Sequence, residues 1–221
     1  MTELATGKWQ TMTDRSQRVI RHRRVDRLYH WLMAISVIVL TATAFLPIYG
    51  VKFAWLDIHW ITGVGLAALV LIHVVRAIVW QDWRNMWIGM TDLRDIWRSV
   101  YRLLGGRRAI RSLPGKYDAA QKLYHFGVAI VVLAVVGSGL LMLLKIDTPL
   151  WRRNPYWFSS DTWGIIYVIH DLTAMAIVAI VIIHIYFSLH PDQWYLARSM
   201  LRGWISRKEY SEHHDAARWK A

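Results

Sequence analysis

The chain of 221 residues is 55% hydrophobic, contains 14 tryptophans and carries a formal charge of +12. Its lysines and arginines flank the apolar segments and are not interleaved with them. This pattern favours a membrane protein over a nucleic-acid-binding protein, so nucleic acid is not an expected partner. The sequence has no cysteine, which excludes disulfides, thiol chemistry and iron–sulfur ligation by this chain.

The polar N-terminus predicts that the first apolar segment is retained. Residues 1–27 lack the short apolar core of a cleavable signal peptide. We therefore expect three regions in chain order, namely a cytoplasmic segment, a membrane domain and a cytoplasmic tail. Their expected bounds are 1–27, 28–190 and 191–221.

Four apolar segments are long enough to cross a lipid bilayer. A hydrocarbon core about 30 Å thick requires roughly 20 residues of helix. The candidate spans are residues 28–48, 58–80, 122–144 and 164–188. Pro47 and Pro191 stand where the first and fourth helices would end. The expected fold class is therefore all-α, an integral membrane bundle of four transmembrane helices.

The distribution of lysine and arginine predicts the orientation of these helices. Seven precede the first span, nine (counting Lys122) separate the second and third spans, and six lie in the tail. Because cytoplasmic segments are enriched in positive charge, both termini and the loop 81–121 are predicted to be cytoplasmic. Within this loop, "DLRDIWRSVYRLL" is typical of an amphipathic helix at the membrane surface. The charged tail 198–221 is expected to fray.

Histidines recur at matching positions of the second and fourth spans. His59 and His73 are fourteen residues apart, as are His170 and His184. In a helix this spacing places both histidines on one face, about 21 Å apart along the axis. The predicted orientation puts His59 and His170 toward the outer surface. The inner layer contains His30, His73, His125 and His184.

Paired imidazoles at membrane depth indicate haem. Ionisable side chains within a bilayer are costly and usually functional, although a single histidine can also do no more than bond a neighbouring helix. Two neutral imidazoles on facing helices can ligate one haem iron from both sides. Zinc is less suitable, because it prefers about four ligands in one cluster. We therefore predict two haem b groups, one toward each side of the membrane.

Spacing alone assigns the outer ligands and leaves the inner ones open. The outer haem has one assignment, His59 with His170. The inner haem requires His184 and one of the other three inner histidines, and spacing favours His73 because it shares a helix face with His59. Small residues beside the predicted haems allow either the approach of a macrocycle or close helix packing. They are Gly63, Gly65, Gly137 and Gly139.

Four motifs carry a resemblance to a known family. They are "RVDRLYHW" (24–31), "DIHWITGVGLAALVLIHVVR" (57–76), "GKYDAAQKLYHF" (115–126) and "IHDLTAMAIVAIVIIHIY" (169–186). Together with the tail they resemble the cytochrome b (gamma) subunit of membrane-bound formate dehydrogenases, over about residues 20–219. The Arg-x-x-His-Trp entry to the first span is shared more widely with hydrogenase cytochrome b subunits. The segment that begins Gly-Lys-Tyr is typical of the formate dehydrogenase type.

The resemblance implies a ligand set for both haems. By this likeness, His30 and His184 hold the inner haem, and His59 and His170 hold the outer haem. The resemblance therefore agrees with the spacing on three ligands and replaces His73 by His30 as the fourth. His73 would then contact a haem propionate or line a quinone pocket.

The resemblance also implies a propionate contact and a quinone site. Arg27 would be placed to pair with a propionate of the inner haem. In the family, quinone is reduced beside His184 and an Asn, for which this chain has Asp118. An ionised carboxylate only accepts hydrogen bonds, so Asp118 would supply a proton if burial raised its pKa, or would be an exposed loop carboxylate. The other expected quinone contacts are Gly115, Lys116 and Gln121.

These residues predict a multi-pass cytochrome b subunit of a bacterial inner (cytoplasmic) membrane, surrounded by lipid. The resemblance implies that it takes electrons from an iron–sulfur subunit and a molybdenum or tungsten catalytic subunit that oxidises formate, and passes them to quinone. The same ligands also fit a cytochrome b subunit of a hydrogenase or other oxidoreductase. A stand-alone quinone-linked dihaem cytochrome and a helical scaffold that only anchors a complex are further alternatives.

Overall fold

The computed structural model of the protein describes residues 17–80, 86–103, 113–149 and 151–220. Within these ranges the chain forms two short strands and seven α-helices. The strands are β1 (Arg18–Ile20) and β2 (Trp204–Ser206). The helices are α1 (Arg24–Phe45), α2 (Trp55–Trp80), α3 (Met90–Leu103), α4 (Ala119–Met142), α5 (Ser160–Leu189), α6 (Trp194–Arg202) and α7 (Arg207–His213).

The chain divides into two compact units. The membrane unit comprises residues 28–82 and 124–185, and the polar unit comprises residues 1–27, 83–123 and 186–221. Helices α1, α2, α4 and α5 are long and apolar enough to cross a membrane, with mean hydropathies from 2.1 to 2.7. The prediction of an all-α membrane protein with four spans is therefore confirmed, and each helix extends beyond the predicted bounds at one or both ends.

The four long helices expose mainly apolar side chains, chiefly Leu, Ile and Val. Lipid solvates such side chains but cannot bond to the backbone, so a segment of this composition must satisfy its own N–H and C=O groups as a helix. Few side chains in these spans are buried within the protein. Two of the buried ones carry hydroxyl groups, namely Thr43 in α1 and Ser138 in α4.

The end of α1 follows from local backbone chemistry. Pro47 lacks the N–H that an α-helix would require, and it starts a 3-10 turn over Leu46–Tyr49. Gly50 ends this turn with a φ of +83°, a left-handed conformation that glycine adopts without steric cost. The expected role of Pro47 as the end of the first span is confirmed.

The polar unit contains a small core built around two paired strands. Strands β1 and β2 are antiparallel, with Val19 opposite Ile205. These two side chains and Tyr210 of α7 are buried together, and Tyr195 and Trp219 pack against them. A three-residue strand pair is marginal by itself, so the contact with α7 and the end of the tail is what stabilises it.

The expectation that the tail frays is wrong. Ser206 and Glu209 form a reciprocal capping box at the start of α7, which satisfies the first backbone N–H groups of that helix. Arg198 of α6 donates to Glu209 at 2.6 Å, and the Tyr210 hydroxyl donates to the carbonyl of Trp219. High charge is typical of a tail that frays. In the structure, however, charged side chains of the tail cap a helix and form ion pairs between its elements.

The amphipathic segment of the loop forms α3, as predicted. Trp97 is 72% exposed on this helix, and Asp92 at its start is buried. The ammonium of Lys122 lies 2.9 Å from Asp92, and both side chains are largely shielded from water. The expected position of α3 along a membrane surface stays a prediction.

Candidate functional site

The structure brings the two outer histidines together. His59 of α2 and His170 of α5 lie with ring centroids 6.3 Å apart and planes inclined by 71°. Two imidazoles that bind one metal ion from opposite sides, with bonds of about 2 Å, have ring centres about 6 Å apart. Both rings line a cavity of about 320 Å³ whose other walls are mainly aliphatic. This volume is in the range of small-molecule sites, so the pair and its cavity suit a flat apolar group held through a metal.

Each outer histidine is held by a hydroxyl from a neighbouring helix. Thr43 Oγ1 lies 2.8 Å from Nδ1 of His59, and Ser138 Oγ lies 3.1 Å from Nδ1 of His170. Thr43 also donates to the carbonyl of Val39 at 2.9 Å, and Ser138 donates to that of Ala134 at 2.7 Å. Both imidazoles are therefore anchored through Nδ1, and Nε2 remains available to a metal.

Gly139 lies close beside the ring of His170. A Cβ at Gly139 would lie 3.1 Å from Cε1 of that ring, closer than side chains normally pack. At Gly63 a Cβ would meet only a side-chain atom of Leu40 at 3.9 Å, and at Gly137 it would meet nothing within 4 Å. Gly63 and Gly139 both line the cavity. Of these glycines, Gly139 has the most definite role in shaping the site.

The inner histidines form two pairs. His30 lies opposite His184 with ring centroids 6.2 Å apart, and His73 lies opposite His125 at 6.5 Å. His184 therefore meets the partner that the resemblance implies, and His73 meets a residue that neither spacing nor resemblance paired with it. Both separations suit a shared metal equally well. The choice of His30 over His73 as a haem ligand consequently rests on the pairing with His184 and on the resemblance.

Tyrosines flank both inner pairs. The Tyr124 ring stacks on His184 at 5.7 Å, with planes inclined by 17°, and its hydroxyl donates to the carbonyl of Ile180 at 3.1 Å. The Tyr29 ring lies 6.3 Å from His73. These tyrosines were not predicted from the sequence. Each stands directly before an inner histidine of its own helix, in the repeated segment Leu-Tyr-His, and contacts an inner histidine of a different helix.

This repeated segment is part of a longer internal repeat. Leu-Tyr-His occurs at 28–30 and 123–125, and a hydroxyl residue follows thirteen positions after each histidine. Those hydroxyl residues are Thr43 and Ser138. The next long helix in each half carries the two histidines fourteen residues apart. The repeat relates the two inner pairs to each other, and its regular spacing is the signal that could have found the hydroxyls.

Arg27 is engaged within the polar unit. Its Nη1 donates to the carbonyl oxygen of Leu201, and its guanidinium packs against Gly203, which has a φ of +92°. Nε of Arg27 is buried and has no hydrogen-bond partner among the residues that the structure describes. The expected pairing of Arg27 with a haem propionate stays a prediction.

The segment that begins Gly-Lys-Tyr is tied to the tail and to the N-terminal strand. The buried Arg21 side chain donates to the carbonyl of Lys116 at 2.7 Å and lies 3.2 Å from Nε2 of His214. Nδ1 of His214 lies 2.7 Å from the carbonyl oxygen of Gly115. A Cβ at Gly115 would lie 3.2 Å from a backbone oxygen of Arg218, so the close approach of the tail favours glycine at this position.

Burial changes the proton affinity of several groups in this cluster. It lowers the pKa of Arg21, and the pKa of Lys116 is lowered by burial and then by the nearby Arg21. Burial likewise raises the pKa of Tyr117. The pKa of His214 is lowered to about 4, mainly by burial, so its ring is neutral near pH 7. A neutral ring can accept from Arg21 and donate to Gly115, as both contacts require.

Asp118 and Gln121 cap the start of α4. The Asp118 carboxylate accepts from the backbone N–H of Gln121 at 2.7 Å, and the Gln121 side chain accepts from the N–H of Asp118 at 3.2 Å. This reciprocal pattern is a capping box, with Asp in place of Ser or Thr. It gives both residues a role in helix formation that sequence reasoning did not assign. Of the expected quinone contacts, residues 115–121 belong to the polar unit and His184 belongs to the membrane unit.

In the described residues no three His, Asp or Glu side chains cluster as a polydentate metal site would require, so the membrane histidines are arranged strictly as pairs.

Residues 21–203 match the model of a family described as prokaryotic cytochrome b561. The cytochrome b556 subunit of formate dehydrogenase from Haemophilus influenzae is 24% identical over 220 residues, which cover 91% of this chain and 82% of that protein. The cytochrome b556(fdo) subunit of Escherichia coli K12 formate dehydrogenase is 24% identical over 93% of each chain. The cytochrome b556(Fdn) subunit of the nitrate-inducible formate dehydrogenase of Escherichia coli K12 is 22% identical over 93% of this chain and 91% of that protein.

Proposed function

Because the chain belongs to the prokaryotic cytochrome b561 family, we propose that it is the membrane subunit through which a formate dehydrogenase passes electrons to quinone. Family membership and four membrane-spanning helices make it a multi-pass bacterial membrane cytochrome b that transfers electrons. The identity of the electron donor is supported by the names of its relatives, which are formate dehydrogenase cytochrome subunits. The inner membrane is the proposed location.

The observation that carries the proposal is the outer histidine pair. His59 and His170 face each other across 6.3 Å, and both are anchored through Nδ1. A haem held between two imidazoles transfers single electrons and offers no open position to oxygen. His59 and His170 are the proposed ligands of the outer haem, and His30 and His184 are the proposed ligands of the inner haem.

The chain supplies an outer surface that suits a partner subunit. Aromatic and aliphatic side chains are exposed at the predicted outer ends of the helices, with Tyr156 at 92%, Tyr49 at 80% and Ile48 at 75%. Exposed apolar side chains outside the spans are suited to contact with another protein. We propose that an iron–sulfur subunit binds here and that a molybdenum or tungsten subunit supplies its electrons.

Quinone is the proposed acceptor on the cytoplasmic side. Oxidation of formate to carbon dioxide releases one proton and two electrons, and quinone takes up two electrons and two protons to become quinol. The residues proposed to contact quinone remain Gly115, Lys116, Asp118, Gln121 and His184. Within this set Lys116 carries a proton that burial makes easier to release, because burial lowers its pKa.

The test of the proposal is the haem content of the isolated chain and the quinone reductase activity of the purified complex. After reduction with dithionite, the wild-type spectrum should show low-spin b haem. Substitution of His59 by Ala should abolish electron transfer to quinone, whereas His190→Ala, outside the spans, should not. A chain that stays free of haem after loading would contradict the proposal. Full activity of the His59→Ala complex would indicate a scaffold.

A cytochrome b subunit of another dehydrogenase is the second candidate. The entry motif of α1, Arg27 to Trp31, resembles that of hydrogenase cytochrome b subunits as well. The haem ligands are the same in both cases, so the substrate is decided by the catalytic partner. Identification of the subunits that co-purify with the chain distinguishes the two candidates, and a chain that purifies alone in active form would favour a stand-alone cytochrome.

A further inference from the structure

The hydroxyls of Thr43 and Ser138 determine which nitrogen of each outer histidine is protonated. A hydroxyl has one hydrogen, and each of these side chains gives it to a carbonyl one turn earlier in its own helix. The oxygen can therefore only accept from the neighbouring imidazole. With the hydroxyl hydrogens on those carbonyls, the proton is assigned to Nδ1 of His59 and of His170, which leaves Nε2 of both rings unprotonated, as ligation of a metal requires.

These hydrogen bonds are shielded from water. Thr43 is 3% exposed and Ser138 is 6% exposed, which makes them two of the most buried polar residues of the long helices. Water therefore does not compete for Nδ1, and the orientation of each ring is fixed. The internal repeat places the two hydroxyls at equivalent positions, so the same device is present on both sides of the outer site.

The inner pair lacks this support on at least one side. Nδ1 of His30 is buried and makes no hydrogen bond within the described ranges of the chain. Donation from Nδ1–H to an acceptor makes an imidazole a more basic ligand. A more basic ligand stabilises the oxidised, more positively charged iron over the reduced iron.

We propose that Thr43 and Ser138 lower the reduction potential of the outer haem below that of the inner haem, by accepting hydrogen bonds from the ligands His59 and His170. This inference rests on the proposed function, because it requires a haem at each site. Its consequence is direction, since electrons that enter at the outer side then move to a site of higher potential at the inner side. Thr43 and Ser138 act through the ligands and are positioning residues.

The experiment is a redox titration of the outer haem with and without the two hydroxyls. The full-length protein with His30→Ala keeps only the outer haem, and its midpoint potential is followed in the visible spectrum. In this background Thr43→Val and Ser138→Ala each remove the hydroxyl that accepts the hydrogen bond, with little change of shape. Thr43→Ser and Ser138→Thr are the matched controls that keep a hydroxyl at each position. The inner haem is titrated separately in a His59→Ala background.

The midpoint potential of the outer haem should rise with Thr43→Val and with Ser138→Ala, and should rise further in the double variant. With Thr43→Ser it should stay at the value of the parent protein. A tenfold change in the preference for oxidised over reduced iron corresponds to a shift of about 59 mV. The inner potential should not move with Thr43→Val. Loss of the outer haem from Thr43→Val but not from Thr43→Ser would also support the inference, because such supporting contacts typically change metal affinity by roughly 10- to 100-fold.

An unchanged outer potential in the double variant would overturn the inference and would leave the hydroxyls with no role beyond satisfying a buried imidazole. The same would follow if Thr43→Ser lost the haem or shifted the potential as Thr43→Val does. Failure of the proposed function is a different result, because the parent chain would then bind no haem at all.

Discussion

His214 in the polar unit and His170 in the membrane unit are held in opposite ways. His214 uses both ring nitrogens, one toward the carbonyl of Gly115 and one toward Arg21. The ring of His170 is bonded only through Nδ1, to Ser138, within the described part of the chain. Both nitrogens of His214 are thus satisfied by the protein, whereas Nε2 of His170 is left available to a ligand.

The surroundings of the two histidines also differ, because protein groups fill the space around His214 and a cavity adjoins His170. Arg21 beside His214 is buried, and its guanidinium lies over the rings of Tyr117 and Trp219 at 5.5 and 5.4 Å. The polar cluster is thus filled by protein groups. Around His170 the neighbouring space is a cavity lined by aliphatic side chains. The filled surroundings of His214 indicate a role in stability. The available Nε2 of His170 beside a cavity indicates a place for a cofactor.

The largest expected effect separates these two histidines directly. His170→Ala or His59→Ala should reduce the haem content by one haem per chain, because each removes a proposed ligand of the outer haem. His214→Ala should leave the haem content unchanged. The measurement is the haem-to-protein ratio of purified variants. Equal haem loss from His170→Ala and His214→Ala would contradict the distinction.

Within the inner layer, His30 and His73 are expected to differ in the same way. His30→Ala should also remove one haem, whereas His73→Ala should keep both, because His73 pairs with His125 and not with His184. The spectrum and haem content of the two variants provide the measurement. If His73→Ala lost a haem and His30→Ala kept both, the ligand assignment of the inner site would be wrong.

A smaller effect, on stability, is expected from pH. Burial depresses the pKa of His214 from its ordinary value near 6.5 to about 4, so protonation favours the unfolded tail. The contribution of His214 is fully present above pH 6.5 and is lost as the pH falls toward 4, by up to about 3 kcal/mol. Amide hydrogen exchange of residues 204–214 at pH 7 and pH 4.5 measures it.

The control for this effect is a variant that cannot titrate at the same position. His214→Gln should weaken the protection of the tail at pH 7 and remove most of its pH dependence. His190→Ala, with its ring outside the cluster, should behave as the wild type. Equal protection of the wild-type tail at both pH values would show that His214 does not stabilise the folded tail.

The smallest expected effect concerns the fit of one ring. Gly139→Ala would place a Cβ 3.1 Å from the ring of His170, so that the ring must move to accommodate it. We expect an affinity loss for the outer haem of roughly tenfold, the lower end of what displaced supporting groups cause. Transfer of haem to a haem-free acceptor protein measures the loss. Gly137→Ala adds a methyl group to open space and should change nothing, so similar losses from both variants would contradict the steric account.

Periodicity predicted what lies along single helices. The four spans follow from apolar length, and the facing of His59 and His170 follows from their layers together with the spacing of fourteen in each helix. Apolar length and spacing are properties of one segment at a time, and the layers follow from the order of the spans along the chain. The structure could therefore be anticipated there, apart from a few residues at the helix ends.

Contacts between distant segments could not be predicted in this way. Strand β1 pairs with β2 across more than 180 positions, and three residues carry too little pattern to reveal a strand. Thr43 and Ser138 are single polar residues in apolar helices and gain meaning only when the histidines are seen beside them. Asp118 was considered for its charge, whereas its spacing from Gln121 already predicts a cap.

The haem-to-protein ratio of the wild-type chain tests the central claim most directly. We predict two low-spin b haems per chain, one at each side of the membrane. A ratio of zero would contradict the claim that the facing imidazoles of His59 and His170 hold an iron porphyrin. A ratio of three would show that His73 and His125 bind a haem as well, and would contradict their exclusion from the ligand set.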